Sequence, residues 1–427
     1  MKIDSQKIDK ILLNKYLGLP IFILFILFMF FATFFVGTYP IDWISSFFVF
    51  LTNVFDAILN DGILKELIND GILPGIGLVI SFLPSIFILF FFISFIEGSG
   101  YLVRIATILD NFMKLFGLSG QSVVLLLMGF GCNVPPILAA NSIKNRSEKN
   151  RTILLIPFMS CSGRLPVYIL ITGTLFSKLE GVVVLISIYL LGILLAILFS
   201  LLFKDRKKHS FNQKKVINTK LPNYKLPSLK YLLNKIFIEI RDYIKKIYSV
   251  LLIASIIIWF LQAFPQNNKD DYNNINKKEQ IEHSYLGIIG KKIEPILAPL
   301  GFDWRISIAL ITGITAKETA ISTLGVLFNN DNIYDDDDMS NENKTFSNQL
   351  KNARYISGDK KGDIIFTIPV GLTFMVFFLI YFPCISVFVA IKKVAGKKHA
   401  SLISMFTILS AYFVAFIVKI ISDLIFL

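Results

Sequence analysis

The sequence predicts an all-α, polytopic membrane protein, built as a helix bundle in two inverted repeats that each contain a re-entrant hairpin. Three observations predict this fold. Residues of the AVILMFWYC set make up 54% of the 427 residues, and they form blocks about as long as the ~20 residues that cross a bilayer. Basic residues cluster in a few loops between these blocks. Two blocks are interrupted by glycine, proline or charged residues. Irregular backbone at membrane depth is tolerated only where it is buried in protein or lines a water-filled cavity.

The charge of the loops predicts the side of the membrane on which each apolar segment ends. Loop 204–246 carries thirteen Lys or Arg and three acids, which predicts a cytoplasmic position. Loop 141–151 is also basic and is predicted inside. Loop 41–73, with one Lys and five acids, and the net acidic loop 329–363 are predicted outside. The nine segments are 17–37, 76–96, 121–140, 152–176, 181–203, 247–264, 302–328, 364–391 and 400–424.

Two of these segments are predicted to be hairpins that enter and leave the membrane on one side. The loops before and after 121–140 both read as inside, and the loops before and after 302–328 both read as outside. A segment that crosses the membrane completely would have its two flanking loops on opposite sides. Inverted repeats with discontinuous helices are typical of secondary transporters, whose site lies at the repeat interface. The predicted helix-breaking residues are Gly129, Gly131, Pro135 and Pro136 in the first hairpin and Gly313 in the second.

The segments predict a simple division of the chain. An internal echo supports the two repeats, since Ile156-Pro157 and Ile368-Pro369 are each predicted to begin the span after a hairpin. The predicted parts are an amphipathic connector at 1–16, repeat 1 at 17–203, a basic cytoplasmic linker at 204–246, and repeat 2 at 247–427 with outer loops 265–301 and 329–363.

Three cysteines are the first candidates for chemistry inside the membrane. Cys132 lies in the first hairpin, Cys161 follows Met159 and Ser160, and Cys384 follows a proline. Thiol, thioether and carbonyl ligands suit soft to borderline metals such as Fe(II), Zn(II) or Cu(I). The alternative is that each cysteine is a small apolar side chain. Their odd number and wide spacing predict no disulfide framework.

Polar side chains within apolar segments are further candidates, because they are costly in a bilayer. Lys317 and Glu318 in the second hairpin predict either an ion or proton relay or a structural pair at broken helix ends. Arg164 either holds loop carbonyls or an acid, or extends to the membrane interface. Glu97 is either a ligand at the cytoplasmic mouth or a solvated helix end. The remaining candidates along the path are Asn133, Ser160, Met159 and Thr373.

Several other classes of site find no support in the sequence. No GxxxxGK[ST] string is present, so no nucleotide site is predicted. No Ser/His/Asp arrangement supports a hydrolase, and His209, His283 and His399 all lie in polar loops. The basic residues orient the chain in a bilayer rather than predict nucleic-acid binding. The run Asp335–Asp338 either attracts cations or forms a solvated loop.

Six strings together resemble the membrane domain of the ferrous iron transport protein B (FeoB) family. The likeness runs from about Lys7 to the C-terminus. The strings are Gly129–Pro135, Pro157–Tyr168, Leu221–Ser228, Ile293–Pro299, Leu300–Arg305 and Ala316–Glu318.

The resemblance implies Fe(II) uptake across the bacterial cytoplasmic membrane through two Gate regions, with the N-terminus and 204–246 in the cytoplasm. It implies that Cys132, Cys161 and Cys384 line the iron path. The family carries an N-terminal GTPase and a helical spacer, and 1–16 looks like the end of that spacer. We therefore expect no enzyme activity in this chain and a GTPase that is a separate chain or was removed from this one. A homo-oligomer is compatible with this expectation.

The sequence departs from the family pattern at two positions. Gly98 stands where the family usually has Asp, and Pro136 stands where Ala is usual. The first departure weakens the expectation of a ligand site near Glu97. Two other functions stay open: a Gate-type carrier of an organic solute such as a nucleoside, and a non-transporting membrane scaffold or sensor for a separate GTPase.

Overall fold

The protein is a helical bundle in the computed structural model, which describes residues 9, 12, 17–60, 62–113, 116–203, 224, 227–244, 248–265, 277–328, 342–356 and 361–426. These residues contain no β-strand, only an isolated bridge between Arg354 and Ile364. The helices are α1 (Gly18–Ile58), α2 (Ile63–Glu66), α3 (Leu73–Ser99), α4 (Tyr101–Met113), α5 (Gly120–Met128), α6 (Val134–Ala139), α7 (Arg146–Leu155), α8 (Leu165–Leu175), α9 (Lys178–Leu202), α10 (Leu229–Tyr243), α11 (Ser249–Ala263), α12 (Lys277–His283), α13 (Tyr285–Leu297), α14 (Trp304–Thr312), α15 (Thr319–Phe328), α16 (Glu342–Lys351), α17 (Ile368–Ile380), α18 (Ile385–Ala395) and α19 (Lys397–Phe426).

The predicted class, an all-α polytopic membrane protein, is confirmed. Six described stretches are long and apolar enough to cross a membrane. A further pair, Tyr285–Leu300 and Trp304–Thr312, bends by 105° and fits a broken span or a re-entrant loop. The predicted span 247–264 corresponds to α11, which has only 15 residues. The six stretches are Pro20–Ile58, Ile63–Ser99, Arg146–Leu175, Lys178–Leu202, Ile368–Ala395 and Lys397–Phe426.

Residues 41–73 are mostly helical, so the predicted loop is wrong for most of its length, whereas its position outside the membrane stays a prediction. Helix α1 continues through Pro40 to Ile58, and helical structure resumes at Ile63. A π-helical segment, Leu67–Ile72, then leads into α3. The acids misled the prediction: residues 43–55 remain rich in Phe, Val and Ile, and this apolar run keeps α1 helical against α3.

The predicted linker and both predicted outer loops also contain helices, with α16 lying in 329–363. Ser228 caps α10 by accepting the Tyr231 amide at 3.3 Å. Leu232 and Ile236 are buried, and α10 packs against α3. Within the predicted loop 265–301, α13 packs against α14. Helices α10 and α13 are amphipathic. Their polar residues lower the mean hydropathy, so a prediction based on mean hydropathy did not detect the buried apolar face of each helix.

The two predicted hairpins are both pairs of short helices joined by a non-helical break. In the first, α5 and α6 flank residues 129–133; in the second, α14 and α15 flank residues 313–318. Gly129 and Gly313 end α5 and α14. Pro135 and Pro136 lie in the first turn of α6 and not in the break, because a missing amide hydrogen costs nothing at a helix start.

The internal echo between Ile156-Pro157 and Ile368-Pro369 is wrong as a structural correspondence. Ile368-Pro369 begins α17, whereas Ile156–Phe158 is a 3-10 turn at the end of α7. What recurs is a different feature, namely a span interrupted near its middle. Chain 146–175 is interrupted between α7 and α8, and chain 368–395 is interrupted between α17 and α18.

The chain divides into two compact units that differ from the predicted repeats. Unit 1 comprises Met1–Ile156 and Leu195–Leu252, and unit 2 comprises Pro157–Leu194 and Ile253–Leu427. Residues 157–194 thus group with the second half of the chain, and the inverted repeat stays a prediction. Most of the connector 1–16, residues 204–223 with His209, and the run Asp335–Asp338 lie outside the described residues.

Candidate functional site

Three helix breaks meet inside unit 2. They are residues 157–164, residues 313–318 and residues 381–384. The amide of Ile385 donates to the Ile314 carbonyl at 2.8 Å, which ties the third break to the second. The Tyr381 hydroxyl donates to the Leu310 carbonyl at 3.3 Å. We call this meeting point the break junction, and it collects most of the polar groups that the sequence singled out.

Lys317 is held in the break junction by a carbonyl and two aromatic rings. Its side chain is 3% exposed. The Nζ atom donates to the Phe382 carbonyl at 2.9 Å and lies 3.3 Å from the Tyr381 ring centroid and 5.1 Å from that of Phe378. Among the described residues no salt bridge joins Lys317 to Glu318. Lys317 therefore binds one broken helix end by itself, rather than as the predicted pair.

Glu318, in the same break as Lys317, contacts the first break. Its carboxylate lies against the Cα of Gly163, where an added Cβ would come within 2.9 Å of the Glu318 carboxyl carbon. Glycine at 163 is thus what lets this carboxylate approach the backbone of the first break. The sequence singled out Glu318 and Arg164, the neighbour of Gly163, but no sequence pattern predicted that Glu318 contacts Gly163.

Arg164 is a buried organiser of the first break. It is 1% exposed, so the alternative of an interfacial side chain is wrong. Its Nη1 donates to the carbonyls of Pro157 at 3.2 Å and Met159 at 3.0 Å, as one sequence-based alternative expected. Its Nε is buried without a hydrogen-bond partner among the described residues, and the buried hydroxyls of Ser160 and Tyr168 lie close to each other. The break thus keeps a buried N–H donor unused.

Cys161 and Cys384 both stand where the chain turns back into helix. Cys161 precedes the 3-10 turn Ser162–Arg164, and Cys384 is the N-cap residue of α18. Both are half-buried thiols, and they lie within electrostatic range of each other and of Lys317. Among the described residues no three His, Cys, Asp or Glu side chains form a group suited to hold a metal ion. Two thiols near one carboxylate suit an ion that passes through better than one that stays.

Cys132 and Asn133 lie in the break of the first hairpin, in unit 1. Cys132 is half-buried, and Asn133 is 3% exposed. Asn133 occupies the N-cap position of α6, yet its side chain makes no capping bond, and its Oδ1 is buried without a partner among the described residues. Gly131 packs against Leu89, whose Cδ1 would lie 2.9 Å from an added Cβ. The break therefore offers a thiol and an unused amide oxygen.

Three other predicted residues lie apart from these groups or are already engaged. Thr373 is fully buried, and its hydroxyl donates to the Pro369 carbonyl of its own helix at 2.7 Å. Met159 is a core residue, 3% exposed, whose carbonyl accepts from Arg164. Glu97 is 56% exposed and pairs with Lys235 at 2.7 Å, which favours the solvated helix end.

Sequence reasoning missed the threonines that close the broken end of α14. The hydroxyls of Thr315 and Thr319 both donate to the Thr312 carbonyl, at 2.7 and 2.9 Å. Thr312 and Thr323 hydroxyls are 2.9 Å apart. The signal was present as four threonines within twelve residues of an apolar segment. These hydroxyls replace the helical hydrogen bonds that the break removes.

Comparison with known proteins gives consistent relatives over nearly the whole chain. The profile of the Gate family, described as nucleoside recognition, matches residues 79–175 and 244–398. The chain is 36% identical over 417 residues to the Fe(2+) transporter FeoB of Campylobacter jejuni, covering 97% of this chain and 64% of that protein. It is 34% identical over 422 residues to the Fe(2+) transporter FeoB of Methanocaldococcus jannaschii, covering 99% of this chain and 59% of that protein.

A third relative is the Fe(2+) transport protein A/Fe(2+) transporter FeoB fusion protein of Porphyromonas gingivalis. It is 39% identical over 446 residues, which cover 98% of this chain and 51% of the relative. The chain thus spans between 51% and 64% of the length of these three relatives. No solved structure matches it.

Proposed function

Because this chain belongs to the Gate family, and within it to the Fe(2+) transporter FeoB proteins, we propose that it forms the membrane pathway for ferrous iron uptake. The ion is the substrate and not a resident cofactor. The single observation that carries the proposal is the break junction, where Cys161 and Glu318 both lie within electrostatic range of Cys384 at broken helices. Broken helices at membrane depth are tolerated only where the irregular backbone is buried in protein or lines a water-filled cavity.

The chemistry of the break junction fits a borderline cation that binds briefly. Thiol sulfur and carboxylate oxygen are ligands that Fe(II) accepts, and nearby carbonyls of the broken helices add oxygen ligands. A complete, rigid coordination shell would trap the ion, so a conducting site needs a weak or incomplete one. Cys161, Cys384 and Glu318 are candidate ligands that do not form a preassembled three-ligand group, which leaves most of the shell to water and carbonyls.

Cys132 and Asn133 form a second candidate station for the same ion. Asn133 Oδ1 is a buried acceptor without a partner among the described residues, and it lies next to a half-buried thiol. A buried polar atom that makes no hydrogen bond destabilises the fold by about 1–3 kcal/mol, so its retention favours a role in binding. We assign Cys132 and Asn133 to transient ion contact.

The membrane setting and partners follow from the same assignment. We propose that the chain lies in a bacterial cytoplasmic membrane, with the N-terminus and 204–246 in the cytoplasm. A GTPase, as a separate chain or as a part of a longer protein, would act on this pathway, and the described chain would carry transport without enzymatic activity. The relatives' greater length supports a further functional part outside the region compared here.

Iron uptake into proteoliposomes tests the assignment. Cys161→Ser and Cys384→Ser are expected to lower the initial rate of Fe(II) uptake about tenfold or more, because hydroxyl oxygen binds Fe(II) more weakly than thiolate. Cys132→Ser and Asn133→Ala are expected to lower it as well. Ser410→Ala is the control, since that hydroxyl only donates to the Phe406 carbonyl of its own helix at 2.6 Å. Unchanged uptake in both Cys161 and Cys384 variants would refute the ligand roles.

A nucleoside carrier is the second candidate, favoured by the description of the Gate profile as nucleoside recognition. A solute of that kind needs several amides and carboxylates in a cavity. The break junction offers Glu318 and Lys317 but no amide side chain among the residues described above. Competition experiments distinguish the iron pathway from the nucleoside carrier. If excess nucleoside competes for transport and excess Fe(II) does not, the nucleoside carrier is favoured.

A further inference from the structure

Arg104, in the first turn of α4, is a buried cation that ties three segments of unit 1 together. Its side chain is 1% exposed. The guanidinium donates to Asp9 and, through Nη1 at 2.9 Å, to the Gly100 carbonyl, and it lies 3.8 Å from the Tyr224 ring centroid. The Tyr224 hydroxyl donates to the same Asp9 carboxylate at 2.9 Å. We call Asp9, Arg104 and Tyr224 the clasp.

The clasp is a buried joint, unlike an ion pair on the protein surface. Two nitrogen atoms of Arg104 donate to the Asp9 carboxylate, Nε at 2.6 Å and Nη2 at 3.3 Å, and this two-point contact fixes the orientation of both groups. Because removal of one partner would leave a buried charge without compensation, the pair does not open freely. The first turn of α4 is therefore fixed relative to residue 9 and to residue 224.

Helix α4 reaches from the clasp to the base of the first hairpin. Asp110 lies six residues beyond Arg104, about 9 Å along the helix axis. Its carboxylate accepts the amide of Gly120, the first residue of α5, at 3.1 Å. An added Cβ at Gly120 would lie 1.6 Å from the Ala106 carbonyl oxygen, so the backbones of α4 and α5 are in direct contact. A backbone contact has no side chain that can adjust, and a shift of α4 therefore moves α5.

Helix α5 carries such a shift to the first hairpin break. It has nine residues, most of them buried, and the break 129–133 begins where it ends. The other side of its base is held by α7, since the amide of Ser119 donates to Glu148 at 2.9 Å. A movement imposed by α4 against this second hold changes the position of Cys132 and Asn133.

We propose that Arg104 is a positioning residue, which acts through α4 to set where the first hairpin holds Cys132 and Asn133. A displacement of residue 9 or residue 224, by whatever acts on these two segments, is passed along α4 to the hairpin. This inference rests on the proposed function, because it assigns a regulation to the second ion station. A clasp that only stabilised unit 1 would change the unfolding midpoint and leave the break unaltered in the folded chain.

Two substitutions open the clasp, and a third separates α4 from α5 directly. Asp9→Asn removes the charge of the carboxylate, and Tyr224→Phe removes only the hydroxyl and is the milder variant if Asp9→Asn does not fold. Gly120→Ala pushes α5 away from α4 and leaves the clasp residues untouched. Asp56→Asn is the matched control, because the Asp56 side chain, which also forms an ion pair, is 61% exposed.

The direct measurement is the rate at which N-ethylmaleimide modifies Cys132 in nanodiscs, well below the unfolding midpoint. Cys161 and Cys384 are replaced by serine in every variant, so that only Cys132 reacts. Opening the clasp by Asp9→Asn or Tyr224→Phe is expected to raise the rate at least ~5-fold, because the released hairpin exposes its half-buried thiol.

The control and a double variant test the route through α4. Asp56→Asn is expected to keep the unsubstituted rate, and Gly120→Ala is expected to raise it as the clasp variants do. Asp9→Asn combined with Gly120→Ala should give no further increase, because both act on the same contact between helices. Unsubstituted rates in the folded clasp variants, or independent effects that multiply in the double variant, would overturn the proposal.

Fe(II) uptake by chains that retain all three native cysteines separates this inference from the proposed function. Asp9→Asn and Tyr224→Phe are expected to lower the initial rate at least ~3-fold, because the thiol and amide of the station are no longer held in place. Failure of the unsubstituted chain to take up Fe(II) would count against the proposed function, while the modification rate of Cys132 would still test the clasp. Lower uptake with an unaltered modification rate would count against the clasp alone.

Discussion

A single glycine decides how closely the Glu318 carboxylate approaches the first break. An added Cβ at Gly163 would lie 2.9 Å from the Glu318 carboxyl carbon, nearer than carbon atoms in contact. The obstructing group is the end of a flexible side chain, so the carboxylate moves and the backbone does not. A substitution at position 163 therefore displaces the Glu318 carboxylate without removing it.

Gly163→Ala is expected to lower Fe(II) uptake about tenfold while the free energy of unfolding changes by less than about 1 kcal/mol, because the displaced carboxylate still reaches solvent or polar atoms. Gly173→Ala is the control, since an added Cβ there meets nothing within 4 Å. Initial uptake rates and thermal unfolding of the two variants give the comparison. Equal uptake in both variants would show that the position of Glu318 does not matter.

The two buried basic residues, Arg164 and Lys317, differ in how well the sequence predicted their partners. Arg164 holds the Pro157 and Met159 carbonyls, which is one of the two alternatives that the sequence left open. Lys317 differs, because its adjacency to Glu318 suggested a pair. Its Nζ instead bonds the Phe382 carbonyl, 65 residues away in the chain. No local pattern encodes so distant a partner.

At the scale of elements, α4 joins the start of the chain to the linker before α10. Arg104 of α4 is 1% exposed, and it donates to Asp9 through Nε at 2.6 Å and Nη2 at 3.3 Å. The Tyr224 hydroxyl donates to the same carboxylate at 2.9 Å, and the Arg104 guanidinium lies 3.8 Å from the Tyr224 ring centroid. Asp9 thus fixes two segments that the sequence placed in separate parts of the protein.

This contact predicts a pH dependence. Hydrogen bonds from Arg104 hold the pKa of the Asp9 carboxyl below its usual range. A depressed pKa means that the stabilisation is present above the unfolded value of about 3.9 and is lost as pH falls through the folded value. Asp9→Asn should therefore lower the thermal unfolding midpoint at pH 7. The difference from the unsubstituted chain should shrink as pH falls below about 4 and vanish only below the folded pKa of Asp9.

Asp56→Asn is the matched control for Asp9→Asn. Asp56 forms an ion pair with Lys65 at 2.9 Å, but its side chain is 61% exposed. Exposed pairs contribute about 0–1 kcal/mol, so this variant should change the midpoint little at either pH. A difference between Asp9→Asn and the unsubstituted chain that does not shrink between pH 7 and pH 3 would contradict the role of the Asp9 charge.

At the scale of the whole molecule, the predicted sides of the membrane rest on loop charge. Residues 141–151 read as inside and residues 329–363 as outside, and both flank a hairpin. The helix pairs α5–α6 and α14–α15 agree with the predicted hairpins, while the opposite orientation of the two hairpins stays a prediction. Side-specific labelling tests that orientation directly.

Asn141→Cys and Lys361→Cys, each in a chain whose three native cysteines are replaced by serine, place one exposed thiol in each loop. A membrane-impermeant maleimide is expected to label position 361 in intact cells and position 141 only after permeabilisation. The unsubstituted cysteine-free chain is the control for background labelling. Labelling of both positions from the same side would contradict the inverted arrangement.

The sequence by itself determined the helical membrane class and the two helix breaks, at residues 129–133 and 313–318. These depend on local properties: apolar runs set the spans, and α5 and α14 end at Gly129 and Gly313. It failed where local composition was mixed, as in loop 41–73, whose acids obscured an apolar helix that runs to Ile58.

Only the tertiary structure decided which polar groups meet. It brought Gly163 to Glu318, Lys317 to Phe382 and Asp9 to Arg104. It also showed that Thr373 satisfies its own helix. The physical reason is that burial and hydrogen bonding of a side chain depend on what packs against it from distant parts of the chain. A sequence pattern shows which groups need partners, and the packing of the breaks supplies them.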